Sequence, residues 1–288
     1  MTKKAQRKQQ FFTHLQNFVA SLNSYVSTDD GQWTIKGFID IYKNIYTISS
    51  DTKIVSKILE IHLFPHILQF AEQHGYYIVL PEHQNYYPDL SFIDTRDPSI
   101  KFAVDLKTTY RLPESSEFCN GFTLGSHGEY FIQRNSRKNI QFPYSDYLGH
   151  YCLGIIYSRA TLHHLDDTAT YTIDHLCSIV SVIRDFQFFA IEKWRIASDK
   201  SGSGNTANIG SINYIPDLLK GNGMFAQLGE AWFDDYWMNY GVITMTDPEG
   251  KTRKITTLED FVTYRGGNPQ QILHKPKKPT QKKQTRPL

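Results

Sequence analysis

Apolar residues Phe11, Leu15, Phe18, Val19, Leu22 and Val26 recur at intervals of three and four, the spacing that predicts an amphipathic helix packed by one face. After the turn residues Asp29-Asp30-Gly31, the stretch from Trp33 to Ile48 alternates apolar and polar side chains around Gly37, which predicts one or two antiparallel strands. Helical periodicity returns from about Ser50 to His74, with Ser50 or Asp51 as N-cap and Gly75 as the stop. Beyond Gly75 come short β-rich runs: Tyr76–Leu80, Leu90–Asp94 and Lys101–Lys107, the last two joined by a turn through Asp97-Pro98. Tyr151–Tyr157 and Phe186–Trp194 are further apolar runs of strand length. Helices thus alternate with strands around a central mixed sheet, an α/β fold.

At 288 residues and 40% hydrophobic content the chain can bury one large core, and a single globular unit with lobes is expected. No run of eighteen apolar residues occurs and the first residues are too polar for a secretion signal, so a soluble, cytoplasmic protein with no membrane partner is expected. Cys119, Cys152 and Cys177 are odd in number and widely spaced, a pattern that argues against disulfides and zinc. The formal charge of +2 is unevenly placed: residues 1–8 hold four Lys/Arg, residues 274–288 hold six, and neither segment has an acid. The body is therefore net acidic, and any contact with nucleic acid must come from local patches. Residues 267–288, rich in Pro and Lys, read as a disordered basic tail.

Chemistry concentrates at two places. Pro88-Asp89 opens one strand and Asp105-Leu106-Lys107 closes the next, so a hairpin brings three charged side chains together, with Asp105 and Lys107 on one face. Two adjacent carboxylates in a partly dry cleft call for a cation, and oxygen donors suit Mg²⁺. Such an ion lowers the pKa of a bound water and orients a phosphate, while Lys107 would stabilise charge developing in the transition state. Either motif alone is more often a solvated strand edge or a turn. The second place is Ser201-Gly202-Ser203-Gly204, whose glycines let backbone approach base edges, followed by Asn205, suited to adenine, and Thr206, suited to a thymine methyl. By itself such a run is usually a flexible turn, and no Gly-Lys-Ser/Thr follows to make it a phosphate loop.

Several segments, in order, give the chain a specific resemblance. Ser50-Asp51-Thr52-Lys53, His74-Gly75-Tyr76, Gln84 to Asp89, Asp105 to Tyr110, Phe122 to Gly125, Lys138-Asn139-Ile140, Lys193-Trp194, and Gly202 to Thr206 with Asn208 to Ile212 are similar to those of the EcoRV-like type II restriction endonucleases. The similarity runs from about Ser49 to Tyr240, with a weaker echo at Tyr264-Arg265-Gly266. It implies the PD-(D/E)xK nuclease fold, with Asp89 and Asp105 as Mg²⁺ ligands, Lys107 as the catalytic lysine and Glu60 as an additional acidic residue assisting the metal. It further implies a recognition loop reading the major groove through Gly202, Gly204, Asn205 and Thr206, with Asn208 beside it, and a second loop of His83, Gln84 and Asn85 at the minor groove. Lys53 and Lys138 become DNA contacts. The implied substrate is duplex DNA at GATATC, cut bluntly at the flexible central TA step. A palindrome is read most economically by a twofold homodimer. The expected organisation is residues 1–48 as helix and strands whose apolar residues serve either as dimerisation surface or as core, 49–266 as the catalytic and recognition domain, and 267–288 as the tail; the N-terminal extension and the tail have no counterpart in the family.

Departures from the pattern include His83 in place of a glutamine, a longer Leu124–Arg134 segment, and Gly241 to Met245 where a basic phosphate-contact segment is expected. Two rival functions remain: a structure-selective DNA repair nuclease, disfavoured by the Gly-Asn-Thr loop, and a non-catalytic sequence-specific DNA-binding protein, disfavoured by the intact acidic and basic set.

Overall fold

The computed structural model describes residues 2–160, 169–202, 207–246, 250–273 and 276. Helix α1 (Lys3–Ser21) starts where the Thr2 hydroxyl accepts a hydrogen bond from the Ala5 N–H, and the short α2 (Asn23–Val26) continues it. Its apolar stripe is buried as the spacing predicts: Phe11 is fully enclosed, stacked on Phe102 with ring centroids 4.1 Å apart and edge-on to Tyr76 and Phe92. The alternating stretch forms an antiparallel hairpin of β1 (Gly37–Ile39) and β2 (Ile45–Thr47). Gly37 is required there, because a Cβ would stand 2.4 Å from the Tyr46 carbonyl oxygen. Helix α3 (Thr52–Gln73) is capped by the Asp51 carboxylate, which accepts from the Lys53 and Ile54 N–H groups, and it buries Val55, Leu59, Leu63 and Ile67.

The central sheet then builds in sequence order. Strands β3 (Tyr76–Val79), β4 (Leu90–Asp94) and β5 (Lys101–Leu112) form an antiparallel meander. Strand β5 does not close at Lys107 as the sequence suggested; it runs on to Leu112, held by β6 (Ser115–Cys119). After β7 (Thr123–Ser126) and the short α4 (Glu129–Ile132), β8 (Tyr147–Arg159) lies parallel to β5, with Asp105 opposite Cys152 and Lys107 opposite Gly154. Strand β9 (Thr170–Tyr171) joins β2, and β10 (Ile183–Glu192) pairs antiparallel with β8. The resulting order, β10-β8-β5-β4-β3, is the mixed sheet expected. The second apolar run ends as a strand at Glu192, and Lys193–Ile196 form a 3₁₀ turn.

The remaining chain makes a second lobe. Strands β11 (Ala197–Ser201) and β12 (Asn208–Ser211) pair with each other, and β12 pairs with β7. Helices α5 (Ile215–Lys220) and α6 (Glu230–Met238), the hairpin of β13 (Thr244–Thr246) and β14 (Thr252–Lys254), and α7 (Leu258–Tyr264) complete it. Packing continues past Gly267 through a 3₁₀ turn, Pro269–Gln271, to the buried Ile272; most of the basic tail lies outside the described residues.

Period-two alternation on β5 sorts two cores. Phe102, Val104 and Leu106 join α1 and α3, while Ala103 joins the cluster of the second lobe. Asp105 and Lys107 share the face of Ala103 and so look toward the lobe that carries β11 and β12. On β8 the same sorting places Leu153 and Ile155 in the first core and Cys152 and Ile156 in the second. Gly154, opposite Lys107, leaves room for the Phe189 ring, which a Cβ would overlap at 1.9 Å.

Candidate active site

Asp89 stands immediately before β4, and two hydrogen bonds lock it to β5. Its Oδ2 accepts from the Leu106 N–H at 2.8 Å, and its own N–H donates to Asp105 Oδ1 at 3.3 Å. Lys107 Nζ lies 2.8 Å from Asp105 Oδ2. The hairpin thus assembles the three residues that the sequence singled out.

Their electrostatics are unequal. Burial, then the charge of Asp105, pushes the Asp89 carboxyl up to about 7, with Lys107 working in the opposite direction. Burial acts on Asp105 in the same sense, but the Lys107 ammonium holds that carboxyl below the usual range. For Lys107 burial opposes the charge, and the two carboxylates outweigh it, so its proton is held more firmly than an ordinary lysine's. One ammonium therefore faces two carboxyls, and the second, buried beside a like charge, holds its proton more tightly than an ordinary carboxyl. A pair of oxygen donors in that condition fits a hard divalent cation. Among the described residues no group of three or more His, Cys, Asp or Glu gathers closely enough to hold a metal ion. Glu60 stands apart on α3, its Oε2 2.7 Å from Lys57 Nζ, yet near enough for its charge to add to the upward shift of Asp89.

The trio opens into a cleft of about 500 Å³ that Gln84, Asn85 and Asn208 also line. The Gln84–Asn85 loop and Asn208, the first residue of β12, therefore meet at the carboxylates. Gly202 donates its N–H to the Asn208 carbonyl at 2.8 Å, closing the β11–β12 hairpin, and a Cβ on it would stand 2.5 Å from Thr123 Cγ2. Gly204, Asn205 and Thr206 lie outside the described residues. Lys53 is exposed on the first turn of α3. Lys138 Nζ is 2.6 Å from Glu129 Oε1, a carboxylate that itself lines the cleft.

The cleft floor was not foreseen. The Tyr87 hydroxyl is 3.0 Å from Nδ1 of the buried His150, whose ring stacks on Tyr144 at 3.7 Å. Lys193, 3% exposed, lies with its Nζ 4.8 Å from the Tyr87 ring centroid. A lysine inside an apolar run was the one available signal in the sequence.

Comparison with known proteins agrees with this geometry. The family model described as restriction endonuclease EcoRV matches residues 29–266. The type II restriction enzyme EcoRV of Escherichia coli is 38% identical over 213 residues, which cover 74% of this chain and 84% of that enzyme.

Proposed function

The chain belongs to the EcoRV family of restriction endonucleases, and from that premise we propose that it cuts both strands of GATATC bluntly, as a Mg²⁺-dependent, cytoplasmic homodimer. One observation carries the catalytic part: Asp89, Asp105 and Lys107 are joined by direct contacts in a cleft that Gln84, Asn85 and Asn208 also line.

Mg²⁺, held by Asp89 and Asp105 with Glu60 assisting, would supply Lewis acidity at the scissile phosphate and a water of lowered pKa. The protein's own groups do the rest. Lys107, firmly protonated, donates to the phosphate oxygen on which charge develops. Gln84 and Asn85 approach the minor groove beside the cut, and Lys53 and Lys138 hold phosphates, the latter after leaving Glu129. Gly202, Gly204, Asn205, Thr206 and Asn208 read the major groove, where each bidentate base contact is worth about 1–3 kcal/mol of discrimination.

A homodimer is supported by an unusual surface. Phe38, Ile39, Ile41, Tyr42 and Tyr46 of the β1–β2 hairpin are all exposed, Ile41 to 88% and Tyr42 to 78%, and several large apolar side chains left exposed on one hairpin are the mark of an association site. No helix among the described residues is long and apolar enough to cross a membrane.

The deciding test is digestion of a plasmid with a single GATATC site in Mg²⁺, with run-off sequencing across the ends. Blunt cleavage there alone is the expected result. Cleavage at another discrete site overturns the assigned sequence, and strand breakage that follows DNA structure instead of sequence overturns site-specific cutting.

A further inference from the structure

Lys193 is a lysine placed where lysines are seldom found. It is almost fully buried, its ammonium has no hydrogen-bond partner among the described residues, and no carboxylate among them lies within ion-pair distance. An unpaired charge in such a place is costly. The surroundings compensate in part through ring faces: Nζ lies 4.8, 5.5 and 5.6 Å from the ring centroids of Tyr87, Phe131 and Tyr144, and cation–π attraction strengthens when the cation is desolvated.

This cage is the underside of the catalytic cleft. Tyr87 lines the cleft two residues before Asp89. Gly125, with φ of +92°, forms another part of the lining, and a Cβ on it would come within 3.4 Å of Lys193 Nζ and 3.3 Å of the Tyr130 hydroxyl. Burial pulls the Lys193 ammonium down to about 7, and the strongest influence in the other direction is Asp105. Lys193 in turn helps to hold the Asp105 carboxyl down, after Lys107. Asp105 thus feels two ammonium groups: Lys107 within the cleft, paired with it at 2.8 Å, and Lys193 behind the lining, walled in by rings.

We propose that Lys193 is a positioning residue whose enclosed ammonium sets how tightly Asp89 and Asp105 take a divalent cation. The inference rests on the reading of those two residues as the metal ligands. A positive charge beneath a carboxylate competes with any cation bound above it, and in a poorly solvated site the competition is not screened by salt. Lys193 therefore holds the cation affinity low. The carboxyl pair stays charge-compensated while the cleft is empty, and the ion binds firmly only when a phosphate adds its own negative charge.

The test is a Mn²⁺ titration of the full-length protein without DNA, read from the electron paramagnetic resonance signal of the free ion. At pH 6, where an ammonium held down to about 7 is mostly protonated, Lys193→Met keeps the length of the side chain and removes its charge; it is expected to tighten Mn²⁺ binding up to about tenfold. Lys193→Arg keeps the charge and should stay within about twofold of wild type. A side chain that only filled space would give looser binding, or none of this contrast, when replaced. Wild-type affinity in Lys193→Met, weaker binding, or equal tightening in Lys193→Arg overturns the proposal. If Lys193→Met does not fold, Lys193→Gln carries the same expectation and the same refutation. Asp105→Ala separates the two levels of inference: if it binds Mn²⁺ like wild type, the assignment of the metal ligands fails; if it loses the ion and Lys193→Met is unchanged, only the role of Lys193 fails.

Discussion

Replacing Asp89 by Asn should make the metal-free protein more stable at neutral pH, although it removes one of the two proposed metal ligands. Asp89 is partly exposed and its carboxyl is pushed up to about 7, by burial first and by Asp105 second. In the unfolded chain the same group titrates at about 3.9. A carboxyl with raised proton affinity in the folded state contributes stability below its unfolded pKa and loses it as pH climbs through the folded value. The loss therefore falls between about pH 4 and 7 and amounts to at most about 4 kcal/mol. Solvent at the cleft mouth and the favourable bond from the Leu106 N–H reduce what is recovered to about 1–2 kcal/mol, a rise of about 2–5 °C in melting temperature. An Asn carbonyl oxygen can still accept that N–H. Calorimetric melts of wild type and Asp89→Asn in a chelator, at pH 4 and pH 7.5, measure it: the variant should be ahead only at pH 7.5. Mg²⁺ should close the gap by stabilising wild type alone. The reasoning is refuted by equal melting temperatures at pH 7.5, by a gap of the same size at pH 4, or by equal stabilisation of both proteins by Mg²⁺.

Lys107→Ala should lower the cleavage rate at least about a thousandfold while Ca²⁺-supported binding of duplex DNA survives, and a near-normal rate in single-turnover cleavage would remove Lys107 from the mechanism. Ile41→Asp combined with Tyr42→Asp should shift sedimentation from dimer to monomer and abolish double-strand cutting, since both side chains stand on the exposed hairpin face. Ending the chain at Leu273 keeps the buried Ile272 but removes six Lys/Arg; the salt dependence of DNA binding should flatten by about 0.9 in log–log slope for each phosphate that the tail neutralises. Phe11→Ala should cost about 3–5 kcal/mol in denaturant unfolding, because its ring is enclosed among five others.

What the sequence disclosed depended on how local the cause was. The Asp51 cap, the period of α3 and the alternation on β4 and β5 are short-range properties, so the meeting of Asp89, Asp105 and Lys107 and the strands that carry them could be read directly. The extension of β5 from Thr108 to Leu112 could not, because it is stabilised by a parallel partner and by β6 rather than by its own apolar pattern. Lys193 was hidden for a similar reason: its cage takes Tyr87, Phe131 and Tyr144 from separate segments. The pairing of Lys57 with Glu60 had the right i,i+3 spacing, but its bearing on Asp89 depends on which face α3 turns to the sheet. Glu129 sits at a positive φ of 23° in the Leu124–Arg134 segment, where family likeness gave no guide.

The parallel pairing of β5 with β8 also governs when this chain becomes a nuclease during its synthesis. The β4–β5 hairpin is local and can close early, bringing Asp89 to Asp105 as the nascent chain emerges. Burial comes much later, because β8 begins only at Tyr147 and the residues beneath the cleft extend to Lys193. Even Phe11, among the first residues made, must wait for Phe102 and Tyr151 before its cavity exists. Contacts of such long range are formed last. A fragment that ends before β8 carries Asp89, Asp105 and Lys107 without the parallel strand and the rings that bury them in the whole chain.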